Sequence, residues 1–302
     1  MTMQPRPQTP GQGPLDALLP AEMARKAEDV GVRKARTDIA SLFVLATLAG
    51  AFIALGAIFS LTAAAGSMTV TAAGGDVSHI TLPYGITRLL AGLAFSLGLI
   101  LVVIAGAELF TGNVLLVIAW ASRRITMAAV LRNWAIVFAG NLVGSLGIVA
   151  LAFISGWYRT GGGAVGLAAL TLAQGKVEHT FLEALAGGIL CNALVCLAVW
   201  LTYSARTTTD RILAIVPPIT AFVAAGFEHS VANMFFLPMA MAIRAFAPAS
   251  FWTATGVQPE AFADVDAVSS LANLVPVTIG NVIGGAVIVA GVYWFVYLRR
   301  SD

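Results

Sequence analysis

Two ionisable side chains, Glu228 and His229, lie in the middle of an otherwise apolar run at residues 222–238, FVAAGFEHSVANMFFLP. Charged groups are expensive in the hydrocarbon of a bilayer, so inside such a run they mark a transport pathway or a binding site. Histidine is suited to proton transfer there, because its unperturbed pKa of about 6.5 is the side-chain value nearest to neutral pH. The simpler alternative is a core histidine whose hydrogen bonds are satisfied.

The pattern A-G-x-E-x-x-x-x-N occurs twice, with Glu108 and Asn113 in the first copy and Glu228 and Asn233 in the second. Paired interruptions of membrane helices are the best sequence indicator of a transporter's binding site. A half-helix that begins at such a break directs free N–H groups and a positive dipole at the gap, which favours a small anion. We expect the two carboxylates to accept hydrogen bonds from backbone N–H groups at the breaks. The alternative is a direct role in proton exchange.

Composition places the chain among membrane proteins. Of its 302 residues 59% are hydrophobic and 11% are charged, and the mean hydropathy is +0.88. A soluble domain carries about 25% charged residues. The net charge of +2 gives no reason to expect a nucleic-acid partner. The polar, proline-rich start of the chain does not resemble a signal peptide.

Six apolar segments are close to the roughly 20 residues that a membrane-spanning helix needs. They lie at about 39–64, 84–121, 128–155, 180–204, 212–247 and 270–297. The second and fifth are too long for one straight helix and carry the paired pattern, so each is predicted to be two half-helices. Residues 1–36 are predicted to be a tail whose amphipathic helix, at about 15–36, lies on the membrane surface. Residues 37–302 are predicted to be the transmembrane domain.

Basic residues predict the orientation. Most of the 17 lysines and arginines precede the first span, follow the second, separate the fourth from the fifth, or end the chain. By the positive-inside rule both termini are expected to be cytoplasmic. The connections at 65–83 and 248–269 are then extracellular loops.

The repeat extends to the third and sixth spans. Asn133 precedes the pattern G-N-x-x-G at 140–144, and Asn273 precedes the same pattern at 280–284. A weaker match, L-x-x-L-A-G, relates residues 45–50 to residues 182–187. Repeat one is therefore expected at about 39–155 and repeat two at about 180–297. Because each holds an odd number of spans, the two repeats must be inverted in the membrane.

Four stretches resemble the signatures of the formate/nitrite transporter family, and two more resemble its formate channel branch. The first four are GAELFTGN at 106–113, CNALVCLAVW at 191–200, GFEHSVANMFFLP at 226–238 and NLVPVTIGNVIGG at 273–285; the others are LLPAEMA near the start and FWTATGVQPEAF at 251–262. The resemblance covers about residues 14–300. It implies an all-α, aquaporin-like bundle of six spans, with the second and fifth broken, assembled as a homopentamer. Gly112-Asn113 is a variant that the formate branch does not always have.

The resemblance also implies which residues line the pathway. It assigns a cytoplasmic constriction to Phe95, Leu99 and Phe222, and a central ionisable group to His229. Lys176 corresponds to a basic residue at the extracellular entrance, although a simple loop charge is an equal alternative. The other pathway residues implied are Leu109, Phe110, Thr111, Asn192 and Val195.

The function expected is a channel for small monovalent anions, formate first, in the bacterial cytoplasmic membrane, with lipid around it. Nitrite, hydrosulfide and lactate are the alternatives within the family. Outside it, the alternative is a cation/proton exchanger that uses Glu108 and Glu228 as a carboxylate pair. Enzyme, cofactor and metal motifs such as H-E-x-x-H and G-x-S-x-G are missing from the sequence, so no enzymatic activity, cofactor or metal is expected.

The mechanism expected is passage of the neutral acid. A small carboxylic acid resembles Asp, with a pKa of about 3.9, and is anionic at pH 7. Moving that charge through an apolar constriction is unfavourable, so His229 is expected to supply a proton while Thr111 and Asn192 orient the anion. Lys176 is expected to attract anions from solution, an effect that salt would screen.

Overall fold

The computed structural model describes residues 17–66, 68–71, 77–80 and 82–299. Nearly all of these residues are helical, as the sequence predicts. The helices are α1 Pro20–Ala35, α2 Ile39–Ala64, α3 Tyr84–Ala105, α4 Phe110–Asn113, α5 Val117–Ala121, α6 Met127–Ile154, α7 Ala164–Val177, α8 Phe181–Ser204, α9 Thr208–Ala225, α10 Ser230–Phe246, α11 Ala249–Thr255, α12 Ala267–Ile283 and α13 Val292–Tyr297. A π-helix, Gly284–Gly291, joins α12 to α13.

Shorter elements connect these helices. The strands β1 Met68–Thr71 and β2 Val77–Ile80 pair antiparallel inside the connection that the sequence predicts to be a loop. The 3₁₀ turns are Val114–Leu116, Trp157–Arg159, Gly161–Gly163 and Pro259–Phe262. Residues 67, 72–76 and 81 of the 65–83 connection lie outside the described residues, as does the tail before residue 17.

Six helical stretches of the described chain are long and apolar enough to cross a bilayer. They are Ile39–Ala64, Tyr84–Ala105, Met127–Ile154, Phe181–Ser204, Thr208–Ala225 and Pro259–Tyr297. The helices α10 and α11 would add a seventh only if they were counted as one span across a bend of 109°. The chain is therefore a multi-pass membrane protein.

Helix α3 ends at Ala105, five residues before α4 begins at Phe110, and α9 ends at Ala225, five residues before α10 begins at Ser230. A glycine follows each helix end in the left-handed conformation, with φ of 83° at Gly106 and 80° at Gly226. A residue with a Cβ rarely adopts this conformation, so glycine is the usual terminator. These positions bring Glu108 and His229 into irregular backbone between helices.

Close contacts between helices depend on the glycines of α6 and of α12 with its π-helical continuation. A Cβ at Gly144 would lie 1.9 Å from the carbonyl oxygen of Thr47, and a Cβ at Gly284 would lie 2.2 Å from that of Ile189. Thr47 and Ile189 are thus equivalent positions on α2 and α8. The weaker match of residues 45–50 with 182–187 is wrong in register, because it would pair Thr47 with Ala184. Apolar helices rich in Gly and Ala resemble each other in several registers, whereas polar patterns do not.

We expect Gly144→Ala to destabilise the fold strongly. Its Cβ would collide with the backbone of α2, which cannot move away as a flexible side chain could. Overpacking of this kind costs about 1–3 kcal/mol. Gly147→Ala is the matched control, since nothing lies within 4 Å of a Cβ at that position on the same helix. Thermal unfolding in detergent should separate the two variants, and equal melting temperatures would contradict the close packing of α2 and α6.

Helix α1 packs on the protein, so its apolar face contacts other helices of the chain. Its buried residues are Met23, Ala24, Ala27, Gly31, Val32 and Ala35. Lys26 Nζ donates to the carbonyl of Tyr203 at 2.7 Å, and Arg124 holds Asp29 at 2.6 Å. Burial, with the positive charges of nearby arginines, lowers the pKa of Lys26. The start of the predicted helix, at residues 15 and 16, lies outside the described residues.

Helix α7 is an element that the sequence analysis did not predict. It follows the 3₁₀ turns after α6 and contacts α10 and α12. Its last turn carries Lys176, which is buried. The reading of Lys176 as a simple loop charge is therefore wrong. On the same side of the bundle, Arg244 ties the connection after α11 to α10 by donating to the carbonyls of Phe262 and Val265.

Candidate functional site

The connection between α3 and α4 is held by a cluster of four polar side chains. Lys34 Nζ lies 2.9 Å from Glu108 Oε2, and Asn113 Nδ2 donates to the same oxygen at 2.7 Å. Asn113 Nδ2 also donates to Asn133 Oδ1 at 2.8 Å, and Asn133 donates to the carbonyl of Lys34 at 3.3 Å. The four residues come from α1, the α3–α4 connection, α4 and α6. The role of Lys34 was not predicted from the sequence.

The connection between α9 and α10 is held in the same way. Lys176 Nζ lies 2.7 Å from Glu228 Oε1, and Asn233 Nδ2 donates to Glu228 Oε2 at 2.7 Å. Asn233 also donates to Asn273 Oδ1 at 2.8 Å, and Asn273 donates to the carbonyl of Lys176 at 2.9 Å. Each carboxylate is thus neutralised by one lysine.

The two clusters differ in burial and in one hydrogen bond. The side chains of Lys34 and Glu108 are 28% and 13% exposed, whereas those of Lys176 and Glu228 are 8% and 3% exposed. Lys34 Nζ also donates to Asn113 Oδ1 at 2.7 Å. The equivalent oxygen, Asn233 Oδ1, has no hydrogen-bond partner among the described residues. The second cluster is therefore drier and less completely bonded.

Asparagines, not the two carboxylates, cap the backbone at the breaks. Asn141 Oδ1 accepts from the N–H of Phe110 at 2.9 Å, and Asn281 Oδ1 accepts from the N–H of Ser230 at 2.9 Å. The expectation that Glu108 and Glu228 do so is wrong, because their oxygens bond lysine and asparagine side chains. Breaks in membrane helices need such partners for backbone groups that helical bonding leaves free.

His229 is buried at the start of α10. Its Nδ1 accepts a hydrogen bond from the backbone N–H of Ala232 at 3.0 Å, so Nδ1 carries no proton. The imidazole is then neutral, with its proton on Nε2, which lies 3.1 Å from Thr111 Oγ1. The hydroxyl of Thr111 is the acceptor in this pair. His229 thus links the start of α10 to α4 through one hydrogen bond.

Asn192 lies beside this pair. Its Nδ2 donates to the carbonyl of Thr111 at 3.3 Å and to that of Asn281 at 2.5 Å. Its Oδ1 is buried and has no partner among the described residues. Leaving a buried acceptor without a hydrogen bond costs free energy. A molecule that carries a hydrogen-bond donor through this site would satisfy the oxygen. Val195, one turn further along α8, is fully buried with Cys191 in the same hydrophobic core.

Two cavities approach the His229–Thr111 pair from opposite ends of the bundle. The Lys34 cavity, of about 280 Å³, is lined by α1, by Glu108 and by Leu99 and Leu109. The Lys176 cavity, of about 460 Å³, is lined by Glu228, by His229 and by residues at the far end of α2. Both ends of the candidate pathway therefore carry one lysine and one glutamate.

The three residues expected to form one cytoplasmic constriction, Phe95, Leu99 and Phe222, do not line the same cavity. Phe95 and Phe222 line the Lys176 cavity, which is at the end of the bundle away from α1, and only Leu99 lines the cavity beside α1. The rings of Phe95 and Phe222 meet edge to face with centroids 5.6 Å apart, and Phe222 stacks on His229 at 5.7 Å. Both rings thus lie in the wall of the cavity that His229 also lines. Phe110 instead packs against Phe138.

We expect Lys176→Ala to reduce anion uptake by the same factor at low and high salt. The sequence analysis expected a salt-screened entrance charge, but buried ion pairs are screened far less than exposed ones. Uptake per folded protein should be measured at about 20 and 500 mM of an impermeant salt. Exposed Arg159→Ala is the control for a surface charge on the neighbouring turn. Full recovery of Lys176→Ala toward wild type at high salt would contradict this expectation.

Comparisons with known proteins agree with the motifs. The family model for formate/nitrite transporters matches residues 21–295, which confirms the resemblance seen in the sequence. The formate channel FocA of Escherichia coli K12 is 48% identical over 290 residues, covering 96% of this chain and 98% of that protein. FocA of Haemophilus influenzae is 44% identical, covering 90% and 92%.

Solved structures give the same picture. A pentameric formate channel with formate bound superposes with a TM-score of 0.78 at 45% identity, covering 86% of this chain and 98% of that one. An ion channel of the same family superposes with a TM-score of 0.72 at 26% identity, covering 91% and 98%. The helical arrangement described above is thus shared with channel proteins.

Proposed function

Because the chain belongs to the formate/nitrite transporter family, we propose that it is a channel for small monovalent anions, with formate as the first candidate. The observation that carries the proposal is the pair of lysine–glutamate–asparagine clusters that line two cavities, with His229 and Thr111 between them. Relatives named formate channels support formate as the substrate. Nitrite, hydrosulfide and lactate are the alternatives, and the family is one of transporters, not enzymes.

The proposal includes the architecture of the pathway. We propose two inverted repeats, at about 39–155 and 180–297, whose second and fifth spans are broken at Gly106 and Gly226. The supporting observation is that the same sequence of hydrogen bonds recurs at both breaks, from lysine to glutamate to two asparagines. The chain is proposed to form a homopentamer, since a relative of known structure is described as pentameric. Residues 1–36 are proposed as a tail and 37–302 as the channel domain.

Localisation follows from the same reasoning. We propose the bacterial cytoplasmic membrane, surrounded by lipid, with both termini in the cytoplasm. The excess of basic residues at the α1 end of the bundle supports this orientation. The Lys34 cavity then opens to the cytoplasm and the Lys176 cavity to the outside.

His229 is proposed to exchange a proton with the permeating anion. In the resting arrangement the imidazole is neutral, so it must gain a proton before it gives one. An arriving anion within about 4–6 Å favours the imidazolium. A solvent proton that enters through the Lys176 cavity, which His229 lines, binds Nδ1 and releases the N–H of Ala232. The proton on Nε2 passes to the anion, which leaves a neutral imidazole with its proton on Nδ1. The neutral acid then crosses the ring pair of Phe95 and Phe222 more easily than the anion would.

Leu99, Leu109 and Val195 are proposed as the apolar wall of the pathway, while Thr111 and Asn192 orient the anion. The free oxygen of Asn192 supports this role, because a protonated acid can donate to it. Phe110 is buried against α6, so we propose a supporting role for its ring, outside the pathway itself. Asn113 and Asn233 are proposed to hold the glutamates at the breaks.

A cation/proton exchanger that uses Glu108 and Glu228 is the second candidate, and it has weaker support. Each carboxylate already bonds a lysine at 2.9 or 2.7 Å, which leaves neither free to bind a cation. Flux of formate, nitrite and hydrosulfide into proteoliposomes, with and without sodium, tests the two candidates. Sodium-independent formate flux supports the channel, and sodium-coupled proton flux without formate flux contradicts it.

A further inference from the structure

His179 is a partly exposed histidine that none of the roles above uses. It lies in the turn between α7 and α8, after Lys176 and just before Thr180, whose side chain caps α8. Its side chain is 38% exposed and lines the Lys176 cavity. It is therefore in contact with solvent and with the cavity at the same time.

The imidazole shares an acceptor with Lys176. His179 Nε2 lies 3.8 Å from Glu228 Oε1, the oxygen that Lys176 Nζ bonds at 2.7 Å. The second carboxylate oxygen is taken by Asn233. One carboxylate oxygen can accept from two donors, as Glu108 Oε2 does, so a protonated His179 would share Glu228 Oε1 with Lys176 and weaken the hold of Glu228 on Lys176.

The Lys176 ammonium has alternative interaction partners near Glu228. Asn233 Oδ1 has no partner among the described residues, and Lys34 bonds the equivalent oxygen of Asn113 in the other cluster. The ammonium also lies 5.7 Å from the centre of the Phe236 ring, which lines the cavity. A shift of Lys176 away from Glu228 thus exchanges partners without stranding the charge.

The charges around His179 are few. Lys176 faces it from α7, and Glu228 faces it from the α9–α10 connection. Glu183, in the first turn of α8, interacts with it electrostatically but is bonded to Thr180. Glu178 next to it bonds Gln174, and Arg88 of α3 lines the same cavity but bonds the carbonyls of Val223 and Ala224. His229 lies deeper in the cavity and is neutral in this arrangement.

We propose that His179 is a proton-sensing residue that sets the anion affinity of the Lys176 cavity. When His179 is neutral, Lys176 and Glu228 cancel, and the cluster has no net charge. When His179 is protonated, the three groups carry a net positive charge, Glu228 holds Lys176 less strongly, and the cavity attracts anions more strongly. Histidine is the side chain whose charge normally changes between pH 5 and 8. By linkage, an anion bound there also promotes protonation of His179.

This inference rests on the proposed anion transport and differs from the role of His229. His179 changes how tightly the anion is captured at the mouth, whereas His229 acts on the proton that crosses with it. The first effect appears in the apparent KM, and the second in the maximal rate. A positioning residue of this kind touches neither the anion nor the transferred proton.

The test is exchange of radiolabelled formate across proteoliposomes with equal pH on both sides, so that no proton gradient drives uptake. A carboxylic acid with a pKa near 3.9 is almost wholly anionic at both pH 7.5 and pH 5.5. For the wild type, the apparent KM should fall about fivefold at pH 5.5, the lower end of typical coupling between two sites. The apparent KM of His179→Gln should equal the wild-type KM at pH 7.5, whichever of the two pH values is used. The apparent KM of His179→Lys should equal the lower wild-type KM at pH 5.5, again at both pH values.

Glu178→Gln is the matched control, since it removes a neighbouring exposed charge whose hydrogen bond is to Gln174; it should follow the wild type. Retention of the wild-type pH dependence by His179→Gln would overturn the inference, as would a wild-type KM that does not change with pH. In both cases formate exchange would still support the channel. Absence of formate exchange by the wild type at either pH would instead contradict the proposed function, and the inference with it.

Discussion

Replacing His229 with Asn is expected to abolish pH-gradient-driven accumulation of formate while leaving a downhill leak of the anion. The Asn side chain can still accept from the N–H of Ala232, because Asn is among the best residues at a helix N-cap. Its amide nitrogen lies where the imidazole has Cδ2, short of Thr111 Oγ1, and it cannot carry a proton. Loss of a positioned proton-transfer group typically costs about 10²–10⁴-fold in rate. Accumulation should therefore fall to the level of empty liposomes.

Uptake should be measured in proteoliposomes at several outside pH values, with the anion leak recorded separately as current. His229→Ala is the contrasting variant, since it loses the cap on α10 as well, at about 1 kcal/mol of stability. The Asn variant should melt at nearly the wild-type temperature and the Ala variant lower. If the Asn variant accumulates formate with an unchanged pH profile, His229 is only a structural cap and the proton-exchange mechanism is wrong.

Much of the fold follows from the sequence because polar residues in an apolar chain are informative. The second and fifth apolar segments each contain Gly, Glu and Asn, and these positions coincide with the ends of α3 and α9. Asn141 and Asn281, placed by the G-N-x-x-G patterns, lie at the same distance, 2.9 Å, from the backbone they cap. Few arrangements satisfy several buried amides at once, so their spacing restricts the fold. The weaker match of residues 45–50 with 182–187 contains no buried amides that restrict the fold, and it gave the wrong register.

The partners of the glutamates could not be predicted in the same way. Lys34 and Glu108 are 74 residues apart, and Lys176 and Glu228 are 52 apart, so no local spacing relates them. Helix α7 has small residues and no clear amphipathic period, which made it look like a loop. One signal was present in the sequence: Lys34 precedes the first repeat as Lys176 precedes the second. Because the chain has few lysines, their presence before both repeats was a reason to expect the same role for Lys34 and Lys176.

The cavity that Phe95 and Phe222 line also could not be predicted from the sequence. Phe95 and Leu99 are one turn apart on α3, and a pattern of buried residues cannot tell which cavity each one faces. The structure separates them because the ring of Phe95 meets Phe222 and Phe236, whereas Leu99 points to the cavity beside α1. The packing of α3 against α9 determines which cavity each side chain faces, and these two helices are far apart in the sequence.

Replacing Glu228 with Gln is expected to reduce the yield of folded protein far more than replacing Glu108 with Gln. Glu228 and Lys176 are nearly inaccessible, with side chains 3% and 8% exposed. Removing one partner of a buried ion pair leaves an uncompensated charge and costs about 3–5 kcal/mol. The amide nitrogen of Gln would also face either Lys176 or Asn233, both of which are donors. Glu108 is paired with a lysine that is 28% exposed, so solvent can compensate part of the loss there.

The measurement is the fraction of detergent-stable oligomer and its melting temperature, for both single variants and for Glu228→Gln combined with Lys176→Gln. The double variant removes the stranded ammonium and supplies two amides that can bond each other. It should therefore recover most of the melting temperature lost by Glu228→Gln, yet it should not recover anion uptake, because the cavity has lost its lysine. Normal oligomer yield for Glu228→Gln, together with abolished proton coupling, would mean that Glu228 acts on the transported proton directly and that its structural role is minor.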